Sequence, residues 1–200
     1  MSTLLAVLSL VLTQAAGLTA VNHTDLVPTE IAAPVAAKLA PGGVRATANG
    51  TTITFWWVKD LAAASWAQVP EGSLVGAVKL DADVRDIRGH VMKAGVYTLR
   101  YGIQPANDDH FGISPFRDFL LLSPAAVDTD PAAAGHDGVI ALSKQTLGGP
   151  HPAVWSIDPP AAKDANAPLS VYTTQLGHKS LIVQVGQLKF GIVLIGQIVT

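Results

Sequence analysis

Apolar and polar side chains alternate along several short segments of this 200-residue chain, and that alternation constrains its fold more than any other feature. The clearest segment covers residues 95–104, where apolar side chains such as Tyr97 and Leu99 alternate with polar ones such as Thr98. A period of two is typical of a strand with one buried face. Asn49-Gly50 separates two such segments and is typical of a tight hairpin turn. The pattern therefore predicts antiparallel strands.

Further strands are expected where short apolar runs lie between turn residues. These runs cover residues 74–80, 118–123, 154–157, 169–174, 180–185 and 188–199. One helix is expected at residues 138–147, before Gly148. Strands and helices do not alternate, so we predict an all-β fold, an antiparallel β-sandwich of jelly-roll or immunoglobulin-like kind with about eight or nine strands and one short helix. The last strand is apolar on both faces and should lie centrally or be covered by a partner.

The N-terminus resembles a targeting segment. No charged side chain precedes Asp25, and a compact apolar run at residues 4–12 is followed by small residues. This arrangement is typical of a secretory signal peptide at residues 1–20, and an uncleaved membrane anchor is the alternative. A cut that leaves a small residue at the cleavage point would follow Ala16, Gly17 or Ala20. We expect residues 21–43 to form a Pro/Ala-rich extended arm with at most one helical turn, and residues 44–200 to form one β-sandwich domain.

Composition narrows the compartment and the function classes. The chain has no cysteine and a formal net charge of −2, and only 14% of its residues are charged, against roughly 25% in a usual soluble domain. An exported chain without cysteine suits a bacterial periplasm or cell surface. The charge excludes a basic nucleic-acid surface, and we expect membrane contact only through an uncleaved N-terminal segment. The common hydrolase, metalloprotease and nucleotide-binding motifs are absent from the sequence.

The most concentrated polar segment lies between the two clearest strands. Candidate catalytic residues there are Asp109, His110 and Asp118, since a carboxylate beside an imidazole can orient a general base. Candidate metal ligands are Asp108, Asp109, His110 and His151. The alternative is ordinary turn chemistry, with Arg117 paired to a neighbouring carboxylate. No cofactor is predicted, and a divalent metal belongs only to the first interpretation.

A second candidate site is Trp56, which the alternation places on the face opposite Trp57. An outward tryptophan can form a stacking platform for a sugar ring, and we count Trp56, Arg100 and Arg117 as candidate ligand contacts. The alternative is that a loop or the proline-rich arm covers the ring, because large aromatic side chains rarely stay exposed without a function.

Three blocks of sequence resemble an uncharacterised family of exported bacterial proteins. They are GVYTLRYGIQP at residues 95–105, DHFGISPFRDFLLL at residues 109–122 and HPAV at residues 151–154. The similarity runs from about residue 56 to residue 155. The resemblance implies an exported compartment, and it implies no activity and no catalytic residues.

Three functions compete at this point. We expect a non-enzymatic β-sandwich, acting as a binding module or as an accessory subunit of a cell-envelope assembly, with a protein partner or a second copy covering its apolar surface. The alternative is a metal-assisted or His/Asp-based enzyme centred on the loop at residues 108–110. It requires Asp108, Asp109, His110 and Asp118, with His151 as an optional member, to converge on one pocket. A weaker alternative is carbohydrate binding through Trp56.

Overall fold

The computed structural model describes residues 17–105, 116–159 and 167–196, which form mostly antiparallel β-structure with 44% strand and 12% helix. The predicted all-β, sandwich-like fold is confirmed. The strands in chain order are β1 (Leu18–His23), β2 (Gly43–Ala48), β3 (Thr51–Trp57), β4 (Leu74–Leu80), β5 (Val84–Arg85), β6 (Val91–Met92), β7 (Gly95–Ile103), β8 (Asp118–Pro124), β9 (Ala153–Asp158), β10 (Val171–Thr173), β11 (Lys179–Val185) and β12 (Leu188–Ile195).

Ten of these strands form one sheet in the order β1-β2-β3-β4-β7-β8-β9-β12-β11-β10, and every neighbouring pair is antiparallel. The sheet curls until β1, at one end of this order, lies against β10 and β11 at the other. Strands β5 and β6 form a separate hairpin. The strand number exceeds the predicted eight or nine because these two-residue strands and β1 carry no clear alternation.

The predicted turn at Asn49-Gly50 joins β2 to β3. Both residues have a positive φ, 48° and 82°, which is the backbone conformation that a two-residue hairpin requires. The hairpin fixes the register, so Phe55 and Trp57 face the inside of the curled sheet and their rings stack with centroids 5.2 Å apart. The predicted inward position of Trp57 is confirmed.

The N-terminal arm covers one outer face of the sheet. It contains one helical turn, α1 (Ala33–Ala36), and its apolar side chains Ile31, Val35 and Leu39 pack with Trp56. Strand β1 extends across residue 20, which the sequence predicts as the boundary between the signal peptide and the arm. Leu18 and Ala20 point into the core, and the backbone of β1 pairs with β2.

A second helix, α2 (Gly135–Leu147), covers the outer face of β7, β8 and β9. It begins three residues before the predicted start and ends at Gly148, whose φ of 62° caps the helix. Strand β12 lies between β9 and β11, so the predicted central position of the last strand is confirmed. In the described part of the chain, no helix is long and apolar enough to cross a membrane.

Candidate functional site

A cavity of about 350 Å³ lies between α2 and the outer face of the sheet. Apolar side chains from β8, β9 and α2 line most of it, among them Phe119, Leu121, Ile140 and Val154. The end of β7 and the segment before β9 close the remaining sides. This volume falls at the lower end of the roughly 300–1,000 Å³ that small-molecule sites occupy.

Spacing along α2 brings one face of the helix to the cavity. His136, Ile140 and Lys144 are each four residues apart and all line it. On the opposite wall Gly102 lets the side chain of Leu121 lie against the backbone of β7. A methyl group added at Gly102 would lie 2.4 Å from Leu121 Cδ1, so any larger residue there would displace this wall.

The polar side of the cavity is organised by Asp86, whose side chain is completely buried. Its Oδ1 accepts hydrogen bonds from the backbone N–H groups of Arg88 (2.9 Å) and His90 (2.8 Å). Its Oδ2 lies 3.3 Å from both Arg88 Nη2 and His90 Nδ1. Arg88 also donates to the carbonyl of Pro152 and lines the cavity. One buried carboxylate therefore fixes a guanidinium and an imidazole at the cavity edge.

The imidazole of His90 lies against that of His151, with ring centroids 5.6 Å apart and an interplanar angle of 22°. The contact with Asp86 favours a proton on His90 Nδ1, which makes Nε2 the acceptor of the neutral ring. His151 itself lines the cavity. The arrangement therefore places two imidazoles side by side, and one of them forms part of the cavity wall.

Two further basic side chains line the cavity from α2. His136 Nδ1 lies 2.7 Å from Glu71 Oε1, so this imidazole has a carboxylate partner. The ammonium group of Lys144 makes no hydrogen bond and no ion pair with the side chains that the structure describes. Among the described lining residues there is no carboxylate.

The structure tests only part of the predicted His/Asp site. His151 reaches the cavity, but Asp108, Asp109 and His110 lie outside the described residues, so their convergence with His151 stays a prediction. Asp118 does not line the cavity and instead accepts a hydrogen bond from the Tyr101 hydroxyl at 2.6 Å. Burial of Tyr101 and this hydrogen bond raise the pKa of the phenol well above its usual value. The described residues contain no group of three or more His, Asp or Glu side chains able to hold a metal ion.

The residues predicted as a ligand platform are separated, and two of them are buried. The Trp56 ring is 2% exposed beneath the arm, and its Nε1 donates to the Asp25 carbonyl at 3.0 Å. Arg100 is 1% exposed and bound to protein groups alone. Neither can meet a ligand from solvent in this arrangement, so the platform interpretation fails for both. Arg117 is exposed, and its Nε donates to the Gln104 carbonyl at 2.8 Å.

Sequence reasoning missed most of the residues that form the polar cavity edge. Residues 86–89 have the composition of a turn, because Asp and Gly close together are typical of turns. The turn is present, and the buried carboxylate of Asp86 within it also holds Arg88 in place beside the cavity. The spacing of His136 and Lys144 on one helix face was the available signal for the other side.

We compared the chain with protein families, curated proteins and solved structures. No protein-family model matches the chain, and neither a curated protein nor a solved structure matches it.

Proposed function

We propose that this protein is a non-enzymatic binding module, exported to a bacterial periplasm or cell surface, that takes a small and largely apolar molecule into the cavity beneath α2. The observation that carries the proposal is the preformed cavity itself, with an apolar wall and a few converging polar groups. Such a composition is typical of small-molecule sites. Its walls belong to three paired strands and a helix, so the site is built on rigid elements.

One of the three observations behind the accessory-subunit version has another explanation. That version is based on the low charge, the high mean hydropathy and a terminal strand that is apolar on both faces. That strand, β12, has β9 and β11 on its two sides. Its inward side chains, such as Phe190, belong to the core, and Val193 packs in the cluster beneath α2. The fold itself therefore covers the surface that suggested a protein partner.

Fluorescence of a neutral apolar probe tests the proposal. N-phenyl-1-naphthylamine should bind the purified full-length chain saturably at one site, with an increase in emission, and decan-1-ol should displace it. Ile140→Trp should abolish this binding because the larger side chain fills the cavity. Ala141→Trp is the matched control, since Ala141 lies on the exposed side of the same helix.

Two results would overturn the proposal. One is the absence of saturable binding by the folded wild-type chain. The other is equal binding by the Ile140 and Ala141 variants, because the probe would then be bound elsewhere. Circular dichroism of both variants verifies that they are folded.

A further inference from the structure

We infer that the ligand of this cavity is a monocarboxylate with an apolar body, whose carboxylate is held by Lys144 and Arg88. This inference rests on the proposed function and adds the chemical class of the ligand.

The charge balance of the cavity favours an anion. Four basic side chains line it, and the described lining residues include no carboxylate. Two of the four already have carboxylate partners outside the lining, because His136 contacts Glu71 and Arg88 contacts Asp86. Lys144 has no such partner among the described residues. The fourth, His151, lies against His90. Among the described lining residues one ammonium group therefore remains without a carboxylate partner, and its charge matches one carboxylate.

Arg88 supplies a second argument. Its Nη2 is engaged by Asp86 and by the Pro152 carbonyl, whereas its Nε is buried and has no hydrogen-bond acceptor in the described structure. A buried N–H group without an acceptor is unfavourable, and polar groups of this kind are usually satisfied in native structures. Arg88 lines the cavity, so a rotation of its guanidinium toward the cavity would bring this N–H group to a carboxylate oxygen of the ligand. The hydrogen bond would be charge-assisted and therefore stronger than a neutral one.

The rest of the cavity wall determines which kind of molecule can carry the carboxylate. Beyond the basic groups the described lining is mostly apolar, with Ile103, Phe119, Leu121, Ile140 and Val154 among its residues, and Gln104 adds one neutral polar side chain. This surface offers few hydrogen-bond partners to a sugar or a peptide backbone, and burying polar groups against its apolar part would be unfavourable. Ile140 lies one helical turn before Lys144, so an apolar chain can lie along α2 with its charged end at the lysine. A fatty or aromatic monocarboxylate has this distribution of polarity.

Three ten-carbon probes that differ only in the head group test the inference. Decanoate, decan-1-ol and decylammonium are titrated against bound N-phenyl-1-naphthylamine at pH 7.5, with the full-length chain. Decanoate should bind about tenfold more tightly than decan-1-ol, which is the size expected from one charge-assisted hydrogen bond. Decylammonium should bind more weakly than either.

Substitution of Lys144 tests whether the preference for decanoate depends on the ammonium group at this position. Lys144→Gln should reduce the preference for decanoate over decan-1-ol to about threefold, because only the Arg88 contact then remains, and it should leave the affinity for decan-1-ol unchanged. Lys38→Gln makes the same change in net charge at an exposed residue that does not line the cavity, and it should leave both affinities unchanged. Lys144→Glu should reverse the order of decanoate and decylammonium.

The possible failures are distinguishable. Equal affinities for decanoate and decan-1-ol in the wild-type chain would overturn the inference and leave the apolar binding function intact. An equal effect of the Lys144 and Lys38 variants would also overturn it, because the preference would then reflect net charge. If neither decan-1-ol nor decanoate displaces the probe, the proposed function fails as well.

Discussion

Arg100 shows how a polar side chain on the outer face of a strand becomes structural. A guanidinium group has five N–H donors, and all five of Arg100 are used. Two of them form a bidentate pair with Asp128, at 2.6 Å and 2.7 Å. The others donate to the carbonyls of Gly72, Ala132 and Asp130. The side chain therefore holds the segment before α2 against β7 and leaves no donor for a ligand.

Removal of one partner of this pair should destabilise the fold strongly. Asp128→Ala leaves a buried guanidinium without its carboxylate, and we expect a loss of about 3–5 kcal/mol in the free energy of unfolding. The double variant Arg100→Leu with Asp128→Leu should lose less than the sum of the single variants, since it leaves no unpaired charge. Urea denaturation of the single and double variants measures these differences.

The exposed pair of Arg45 with Asp25 is the control for this comparison. Arg45→Ala should cost no more than about 1 kcal/mol, because solvent screens the charges of a surface pair. A cost of that small size for Asp128→Ala would contradict the structural role assigned to Arg100.

At the scale of whole elements, the sequence predicted the strand faces, the hairpin and the helix end, which depend on neighbouring residues. It did not predict the cavity, which depends on contacts between distant parts of the chain. Alternation placed Trp56 and Trp57 on opposite faces, and the turn residues placed the β2–β3 hairpin. The helix end at Gly148 was equally local. The cavity could not be predicted in this way, because strand order and helix docking bring its wall together from four separate parts of the chain, which are Arg88, residues 102–105, residues 119–121 and residues 136–154. No local pattern specifies that order.

Strand β1 (Leu18–His23) overlaps the segment that the sequence predicts as a signal peptide. Its apolar residues and small neighbours resemble the end of a signal peptide, yet Leu18 and Ala20 are buried and paired with β2. The carbonyl of Gly17 also accepts the backbone N–H of Asn49 at 2.8 Å. A cut after Ala16 would preserve all of these contacts, whereas a cut after Ala20 would remove half of the strand.

A chain that begins at Val21 should therefore be less stable than one that begins at Gly17. Burial of Leu18 alone is worth about 1.5–3 kcal/mol, and the loss should be at least of this size. Urea denaturation of the two chains measures it. In the full-length chain, Leu18→Ala should reproduce much of the loss, while Thr19→Ala, at an exposed position of the same strand, should change stability little. Equal stability of the two truncated chains would show that β1 does not contribute to the fold.

For the molecule as a whole, the low charge of the chain has an internal explanation. The described residues form three apolar clusters, one inside the curled sheet, one beneath the arm and one beneath α2. Strands in contact with two clusters are apolar on both faces without any partner. In the part of the chain that the structure describes, the large hydrophobic side chains are mostly buried, and this is compatible with an apolar fraction of 49% for the whole sequence.

This architecture predicts that the protein is a monomer in solution. A stable interface usually buries about 800 Å² on each partner, with an apolar centre. In the described part of the chain the exposed large hydrophobic residues are Val21, Leu26, Ile103, Phe116, Val127 and Leu176. They come from six different segments, and Ile103 already lines the cavity. The two end strands of the sheet also lie close together, and β10 has only three residues, so little strand edge remains for pairing with another chain.

Sedimentation equilibrium measures this directly. The full-length chain should give a mass near 20.7 kDa over the whole accessible concentration range. Leu26→Lys provides the control at the most exposed of these side chains, and it should leave the mass unchanged. A dimer in the wild-type chain that Leu26→Lys dissociates would show that the arm is an interface, and the accessory-subunit function would regain its support. A monomer in both chains would agree with the binding function that we propose for the cavity beneath α2.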